Sequence, residues 1–261
     1  MEIFEKISFI NYLFSAKDPE TGNPAYSPDE LNAEARLLLL AGAETTSTAL
    51  CATLFYLTRN LRAYRRVTSE IRDTFTNSQE IREGSKISSC HYLKACIDEA
   101  MRMTPSGPGE QPIDVLKGGL ELDGVFLPEG TRVGTSTWAL FHNERYFGDA
   151  WTYRPERWIV DDDLGITPGD VALAQSAYNP FLIGPYNCVG QKLAMQELML
   201  TTAKILYQMD VKAAPGNSLG GGSPELGWGR RNPNHFHVRD GFISVKDGPM
   251  IQFRRRQFSQ S

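Results

Sequence analysis

The sequence predicts a mainly α protein with a small β part. Three observations carry that prediction. A long apolar helical pattern fills residues 28 to 60, two amphipathic patterns follow at 61–77 and 89–103, and the texture changes after Pro105, where Gly, Asp and Pro separate short β-prone runs. With 261 residues, 41% of them hydrophobic and 22% charged, the chain can bury one large core or two small ones.

EIFEKISFINYLF after Met1 carries acids among its apolar residues and no small-residue cleavage site, so it does not read as a signal peptide. Pro28-Asp29-Glu30 suits a helix start, and only Gly42 interrupts the pattern that follows. Its apolar stretch LLLLAGAETTSTALCATLFYL contains Glu44 and several hydroxyls, which favours a buried central helix over a membrane span. In 61–77, Leu61, Tyr64, Val67, Ile71 and Phe75 recur at helical spacing between charges; in 89–103, Leu93, Ile97 and Met101 do the same until Pro105 stops the helix. Gly118-Gly119, Asp123-Gly124 and Pro128-Glu129-Gly130 divide 112–137 into hairpins. A short helix at 138–144, an irregular stretch at 145–180, a helix at 190–209 and a Gly- and Pro-rich loop at 215–233 lead to two terminal strands joined through Lys246-Asp247-Gly248.

The formal net charge of -4 argues against a general nucleic-acid binder, and Arg254-Arg255-Arg256 reads as a solvated tail. Cys51, Cys90, Cys96 and Cys188 lack the paired spacing of a zinc site and are too few for a disulfide framework, which points to a reducing, cytoplasmic setting with no membrane anchor in these residues. His91, His142, His235 and His237 read as ordinary histidines, although His235 and His237 share a strand face and a metal pair there is conceivable.

Four short stretches could carry chemistry. Ala41-Gly42-Ala43-Glu44-Thr45-Thr46 places tiny residues before an acid and two hydroxyls; glycine in a helix costs about 1 kcal/mol relative to alanine, so a close approach to the backbone is expected there. The Glu44 carboxyl beside the Thr45 hydroxyl is either a proton relay or a satisfied polar pair. Glu99 and Arg102 fall on one helical face, and Arg157 of Pro155-Glu156-Arg157-Trp158 could satisfy a remaining carboxylate oxygen. In FLIGPYNCVG, Cys188 lies just ahead of a helix, where unpaired N–H groups and the dipole favour a thiolate; Gly184 and Gly190 permit sharp turns, and Phe181 could pack beside the sulfur. A small apolar residue in a turn is the plainer account of the same cysteine.

Taken in order, these four stretches resemble the oxygen-activating helix, the K-helix pair, the third-arginine motif and the heme-binding loop of the cytochrome P-450 superfamily, with wording such as AGAETTSTAL and LGWGRRNPN similar to fungal secondary-metabolism members. The resemblance implies the C-terminal part of a single P-450 domain over residues 1–261, with the family's N-terminal half absent. It implies heme held by Phe181, Gly184, Tyr186, Cys188 and Gly190, with Cys188 as axial ligand to the iron. Glu44 and Thr45 would deliver protons during oxygen activation, and Glu99, Arg102 and Arg157 would be structural. A small apolar substrate would lie near Ala41, Ala43, the turn after Pro105, Phe242 and Ile243. Dioxygen, electrons from NADPH through a separate reductase, and the cytosolic face of the endoplasmic reticulum for full-length relatives complete the expectation. Two positions depart from the family pattern: Tyr186 stands where an Arg or His is usual for a heme propionate, and Ile113 where an arginine is expected; Lys117, Arg132 and His142 are candidate substitutes. The alternative is a shortened relative without heme, acting as a binding protein or in a non-oxidative step.

Overall fold

The structure is a computed structural model that describes residues 9–257; the start of the segment read for a signal peptide lies outside the described residues. Its contacts group into two compact units, divided in sequence between Glu44 and Thr45.

In the first unit, α1 (Phe9–Ser15) precedes a turn in which the Asp18 carboxylate accepts the N–H groups of Glu20 and Thr21, both at 2.8 Å. Those bonds hold Asp18 below the ordinary carboxylate range. Helix α2 (Pro28–Arg59) starts one residue after a reciprocal cap: Glu30 accepts from the Ser27 N–H at 2.7 Å, while the Ser27 hydroxyl accepts from the Glu30 N–H at 3.3 Å. Among the described residues α2 is the one helix long and apolar enough to cross a membrane. The expectation of a buried helix holds only for its later part, where Thr48 to Leu57 are mostly buried, whereas Leu37 to Leu40 are exposed. Nor does any described residue approach Gly42: a Cβ added there meets no atom within 4 Å.

The second unit is built around α5. Helix α3 (Leu61–Thr74) is capped by Asn60, whose side chain accepts the Ala63 N–H at 3.3 Å, and it ends earlier than its pattern suggested because Phe75 turns to extended backbone. After a short α4 (Ser85–Ser88), α5 (His91–Met103) begins without a cap from its own Cys90. Glu70 on α3 supplies one, its carboxylate oxygens accepting the Tyr92 and Leu93 N–H groups at 2.8 Å each. This satisfies two orphan donors with a charge of the favourable sign. The main core gathers Phe55, Val67, Ile71, Leu93, Ile97, Leu198 and Leu206. Through it runs a polar seam: Tyr56 shares a 2.9 Å hydrogen bond with Thr104, stacks on Tyr153 at 4.9 Å, and Tyr153 donates to the Cys96 carbonyl at 2.9 Å.

The small β part consists of two-stranded antiparallel pairs: β1 (Ile113–Asp114) with β4 (Arg132–Val133), and β2 (Leu120–Leu122) with β3 (Val125–Leu127). Helix α6 (Thr137–Phe141) matches the short helix expected there. The stretch expected to be irregular contains α7 (Glu144–Phe147), a 3-10 turn at Pro155–Trp158 and α8 (Pro168–Ala177). Helix α8 has a capping box between Thr167 and Asp170, a signal its weak periodicity concealed.

Helix α9 (Gln191–Gln208) follows the cysteine loop and runs into β5 (Met209–Ala213). The Arg72 guanidinium seals the far end of α9, donating to Leu206 O at 3.0 Å and Met209 O at 3.3 Å while pairing with Asp210 at 2.9 Å. The terminal strands are arranged differently from the expectation. β6 (Val238–Gly241) pairs with β7 (Ile243–Lys246) around Phe242 at φ 73°, and β8 (Ile251–Arg255), beyond Lys246-Asp247-Gly248, pairs with β5. Arg254 and Arg255 are therefore strand residues opposite Asp210 and Met209, and Arg254 bonds Asp210 at 3.0 Å; the triplet is no free tail.

Candidate active site

Glu99 is the hub of the second unit. Its side chain and that of Arg102 are 0% exposed, and Arg157 is 3% exposed. Arg102 engages Glu99 with two bonds of 2.9 Å, from Nε to Oε2 and from Nη2 to Oε1. Arg157 Nε donates to Oε1 at 2.9 Å, the Arg154 N–H donates to the same oxygen at 3.0 Å, and Trp158 Nε1 donates to Oε2 at 3.0 Å. Burial alone would raise the Glu99 carboxyl, but the charges of Arg102 and Arg157 outweigh it and hold the group below the usual range. Burial likewise lowers Arg157, opposed by the Glu99 charge.

The outer faces of both guanidiniums bind backbone. Arg102 donates to Phe141 O at 2.6 Å; Arg157 donates to Phe147 O, to Gly148 O at 3.1 Å and to Asp149 O at 3.2 Å. The structure thus brings together Glu99, Arg102 and Arg157, as the spacing allowed, and adds Trp158 and Arg154. Trp158 sits inside the stretch Pro155 to Trp158 that sequence inspection singled out; Arg154 contributes only its backbone and left no sequence signal. A neighbouring knot was missed: Glu156, 4% exposed at its side chain, accepts from Tyr92 OH at 2.8 Å and pairs with Arg62 at 2.9 Å.

This framework leads directly to the cysteine loop. A second core of Phe141, Phe147, Ala150, Ala174 and Ala177 packs against Trp158 and Tyr178. Tyr178 donates to the Asp98 carbonyl at 3.0 Å, tying the chain just before the loop to α5. Phe181 packs its ring against the main core, and its carbonyl accepts the Cys188 N–H at 2.8 Å, closing the segment between them. Within it Leu182 and Gly184 adopt φ of 60° and 65°, a conformation glycine takes without strain and Leu182 does not. Cys188 is exposed, Tyr186 is exposed, and Val189 is 97% exposed. Gly190 forms the N-cap position of α9, where an added Cβ would stand 3.8 Å from the Cys188 sulfur. Beside the loop lies a cavity of about 850 Å³ lined by Phe181, Leu182, Ile183, Met195 and Met199 together with Lys94 and Asp98.

Glu44 is exposed and closes the first unit, and Thr45, half-buried, opens the second. The Thr45 carbonyl accepts the Ser106 hydroxyl at 2.8 Å, the Ser106 carbonyl accepts the Ser244 N–H at 2.8 Å, and the Ser244 hydroxyl donates to Pro105 O at 2.8 Å. These bonds stitch the Thr45 segment, the turn after Pro105 and the hairpin bearing Phe242 and Ile243 into one wall.

The histidine pair separates. His235 bonds the Trp151 carbonyl at 2.7 Å, while His237 lies 3.4 Å from Arg230. His142 is buried between Trp138 and Trp151; burial pushes it down to about 4 against a 2.9 Å bond with the Trp138 carbonyl. Among the described residues, no group of three or more His, Cys, Asp or Glu side chains could hold a metal ion. Cys188 presents one exposed sulfur donor to solvent.

The described residues form a mainly α chain in which a buried glutamate gathers two arginines and a loop carries one exposed cysteine. Its residues 3–225 match the family model for Cytochrome P450, and the chain belongs to that family. It is similar to a cytochrome P450 monooxygenase of Gibberella zeae (39% identity over 254 residues, 97% of this chain and 57% of the relative). It is also similar to the cytochrome P450 monooxygenase AKT7 of Alternaria alternata (40% over 246 residues; 93% and 47%) and to apf8 of Gibberella fujikuroi (40% over 248 residues; 95% and 66%). The chain spans about half the length of the first two of these relatives.

Proposed function

We propose that the chain forms the cysteine-loop part of a single heme-dependent monooxygenase domain that hydroxylates a small apolar substrate in fungal secondary metabolism. The observation that carries this reading is the exposed Cys188 on a loop closed at Phe181 and tied at Tyr178 to the helix bearing Glu99. Cys188 would ligate the iron of heme, and Phe181, Gly184, Tyr186 and Gly190 would shape the loop against the macrocycle. When bound, heme supplies the dioxygen and one-electron chemistry that side chains lack, with electrons from NADPH through a separate reductase. Tyr186 would offer a propionate a hydroxyl donor in place of the charge an Arg or His would bring.

The Glu44 carboxyl would exchange protons with solvent and the Thr45 hydroxyl would hand them inward. The Thr45 segment, the Pro105 turn and the Phe242 hairpin would bound the substrate, which Phe242 and Ile243 would meet with apolar surface. Full-length relatives would work at the cytosolic face of the endoplasmic reticulum.

The test is spectroscopic. The 261-residue chain supplied with heme and reduced under carbon monoxide should show the shifted Soret band of a thiolate-ligated ferrous complex, and Cys188→Ala should lose it. A folded wild-type chain without that band refutes the heme reading for this polypeptide and leaves the heme-free relative.

A further inference from the structure

A second cavity, of about 560 Å³, shares no lining residue with the cysteine loop and lies between the turns around Trp228 and the strand β6. Its size is that of a small-molecule site. One wall is aromatic: Trp138 and Trp228 stand edge to face, 6.1 Å apart at 72°. Trp138 is held from behind by His142 at 4.4 Å and Trp151 at 5.6 Å, whereas Trp228 is 78% exposed at the rim. The lining also includes Arg230, His237, Arg239 and Asp240.

The charges there are unbalanced. Among the described residues neither Arg230 nor Arg239 forms an ion pair with a carboxylate, and the Arg230 guanidinium points instead at the His237 ring nitrogen, 3.4 Å away. Burial, with the charges of Arg230 and Arg239, holds His237 below its ordinary value. Asp240 spends one oxygen on the Phe242 N–H at 3.1 Å. Two guanidiniums against one carboxylate leave a single excess positive charge facing two indoles. A monoanion with a flat apolar body would neutralise that charge, stack on Trp228 and accept from the arginine forks; a multiply charged phosphate would meet the Asp240 carboxylate and leave the indoles uncovered.

We propose that this cavity is a binding site for an aromatic carboxylate, separate from the cysteine loop and independent of whether the chain holds heme. The probe is 2-naphthoate, titrated into the 261-residue Cys188→Ala chain and followed by tryptophan fluorescence and calorimetry, with 2-naphthalenemethanol as the uncharged comparison. Saturable one-site binding of naphthoate is expected, with the alcohol at least about tenfold weaker, the size of a lost charge-assisted hydrogen bond. The Arg230→Gln/Arg239→Gln double variant should weaken naphthoate about tenfold or more, and Trp228→Ala should weaken both probes. All three side chains are exposed, so these variants should keep the far-ultraviolet dichroism of the parent. Equal affinity for acid and alcohol, unchanged affinity in the double arginine variant, or no saturation by naphthoate at millimolar concentration would overturn the assignment.

Discussion

Glu99→Gln is expected to cost the second unit about 3 kcal/mol or more. The substitution keeps the volume and one carbonyl acceptor but removes the charge that faces two guanidiniums, both essentially without solvent contact. Breaking a buried pair from one side costs about 3–5 kcal/mol because an uncompensated charge remains inside, and here two remain. The new amide also turns an N–H₂ toward groups that are themselves donors, Arg102, Arg157 or Trp158. With a urea dependence of about 2–3 kcal/mol per molar, the unfolding midpoint should fall by about 1 M or more at neutral pH. The assay is urea denaturation followed by far-ultraviolet dichroism. Because Glu99 is held below its ordinary value of 4.5 in the folded state, its contribution is complete above that value and is lost as pH falls through the lower folded value. The gap between wild type and Glu99→Gln should therefore narrow in acid, starting below 4.5. Adding Arg157→Met to Glu99→Gln should deepen the loss, because the buried carbonyls of Phe147 and Gly148 then lose their donor. A midpoint shift under about 0.3 M, or a gap constant with pH, would show that the cluster's charge does not stabilise the fold.

His142 has a folded value of about 4 against 6.5 unfolded, so stability present above pH 6.5 should fall by about 3 kcal/mol as pH drops to about 4; His142→Gln should flatten that stretch of a thermal-midpoint profile. Gly184→Ala forces a side chain into φ 65° and should cost about 1–2 kcal/mol by the same urea assay, even though the added Cβ meets no neighbour. Tyr186→Arg, at an exposed position, should leave stability within about 0.5 kcal/mol; on the proposed heme reading it should also slow heme transfer to apomyoglobin by adding a charge for a propionate.

Where the sequence was legible, one physical signal dominated. The helices α3 and α5 were readable because their apolar residues recur with one period and a breaker follows. Glu99, Arg102 and Arg157 could be grouped because carboxylate valence asks for more than one donor. Helix α8 was not legible, since its only strong signal is the Thr167 and Asp170 cap before a short, weakly amphipathic run. The β5 and β8 pairing escaped because it joins residues far apart, and local alternation equally allowed a hairpin through Lys246-Asp247-Gly248. Gly42 misled because a long helix can carry a glycine at a cost of about 1 kcal/mol with no close neighbour to explain it; an added Cβ there meets no atom within 4 Å. Glu70, which caps α5 from another helix, has no sequence mark because capping by a distant side chain has no fixed spacing.

The burial of Glu99, Arg102 and Arg157 needs a reason, because an apolar cluster of equal volume is often as stable as a buried ion pair or more so. The reason lies in the carbonyls. Phe141, Phe147, Gly148 and Thr152 present oxygens to the interior from turns and helix ends, where regular ladders cannot satisfy them. Apolar replacements would leave those acceptors orphaned, at a cost of about 1–3 kcal/mol each. Only a forked cation reaches several at once, and only a buried carboxylate lets two such cations sit side by side. The cysteine loop, with an exposed sulfur, two residues at positive φ and Val189 in solvent, cannot bury enough of itself to be stiff. Its start is tied instead by Tyr178 to the same α5 that carries Glu99, and α9 beyond it packs into the same core as α5, so α5 is the element that the charge cluster and both ends of the loop share.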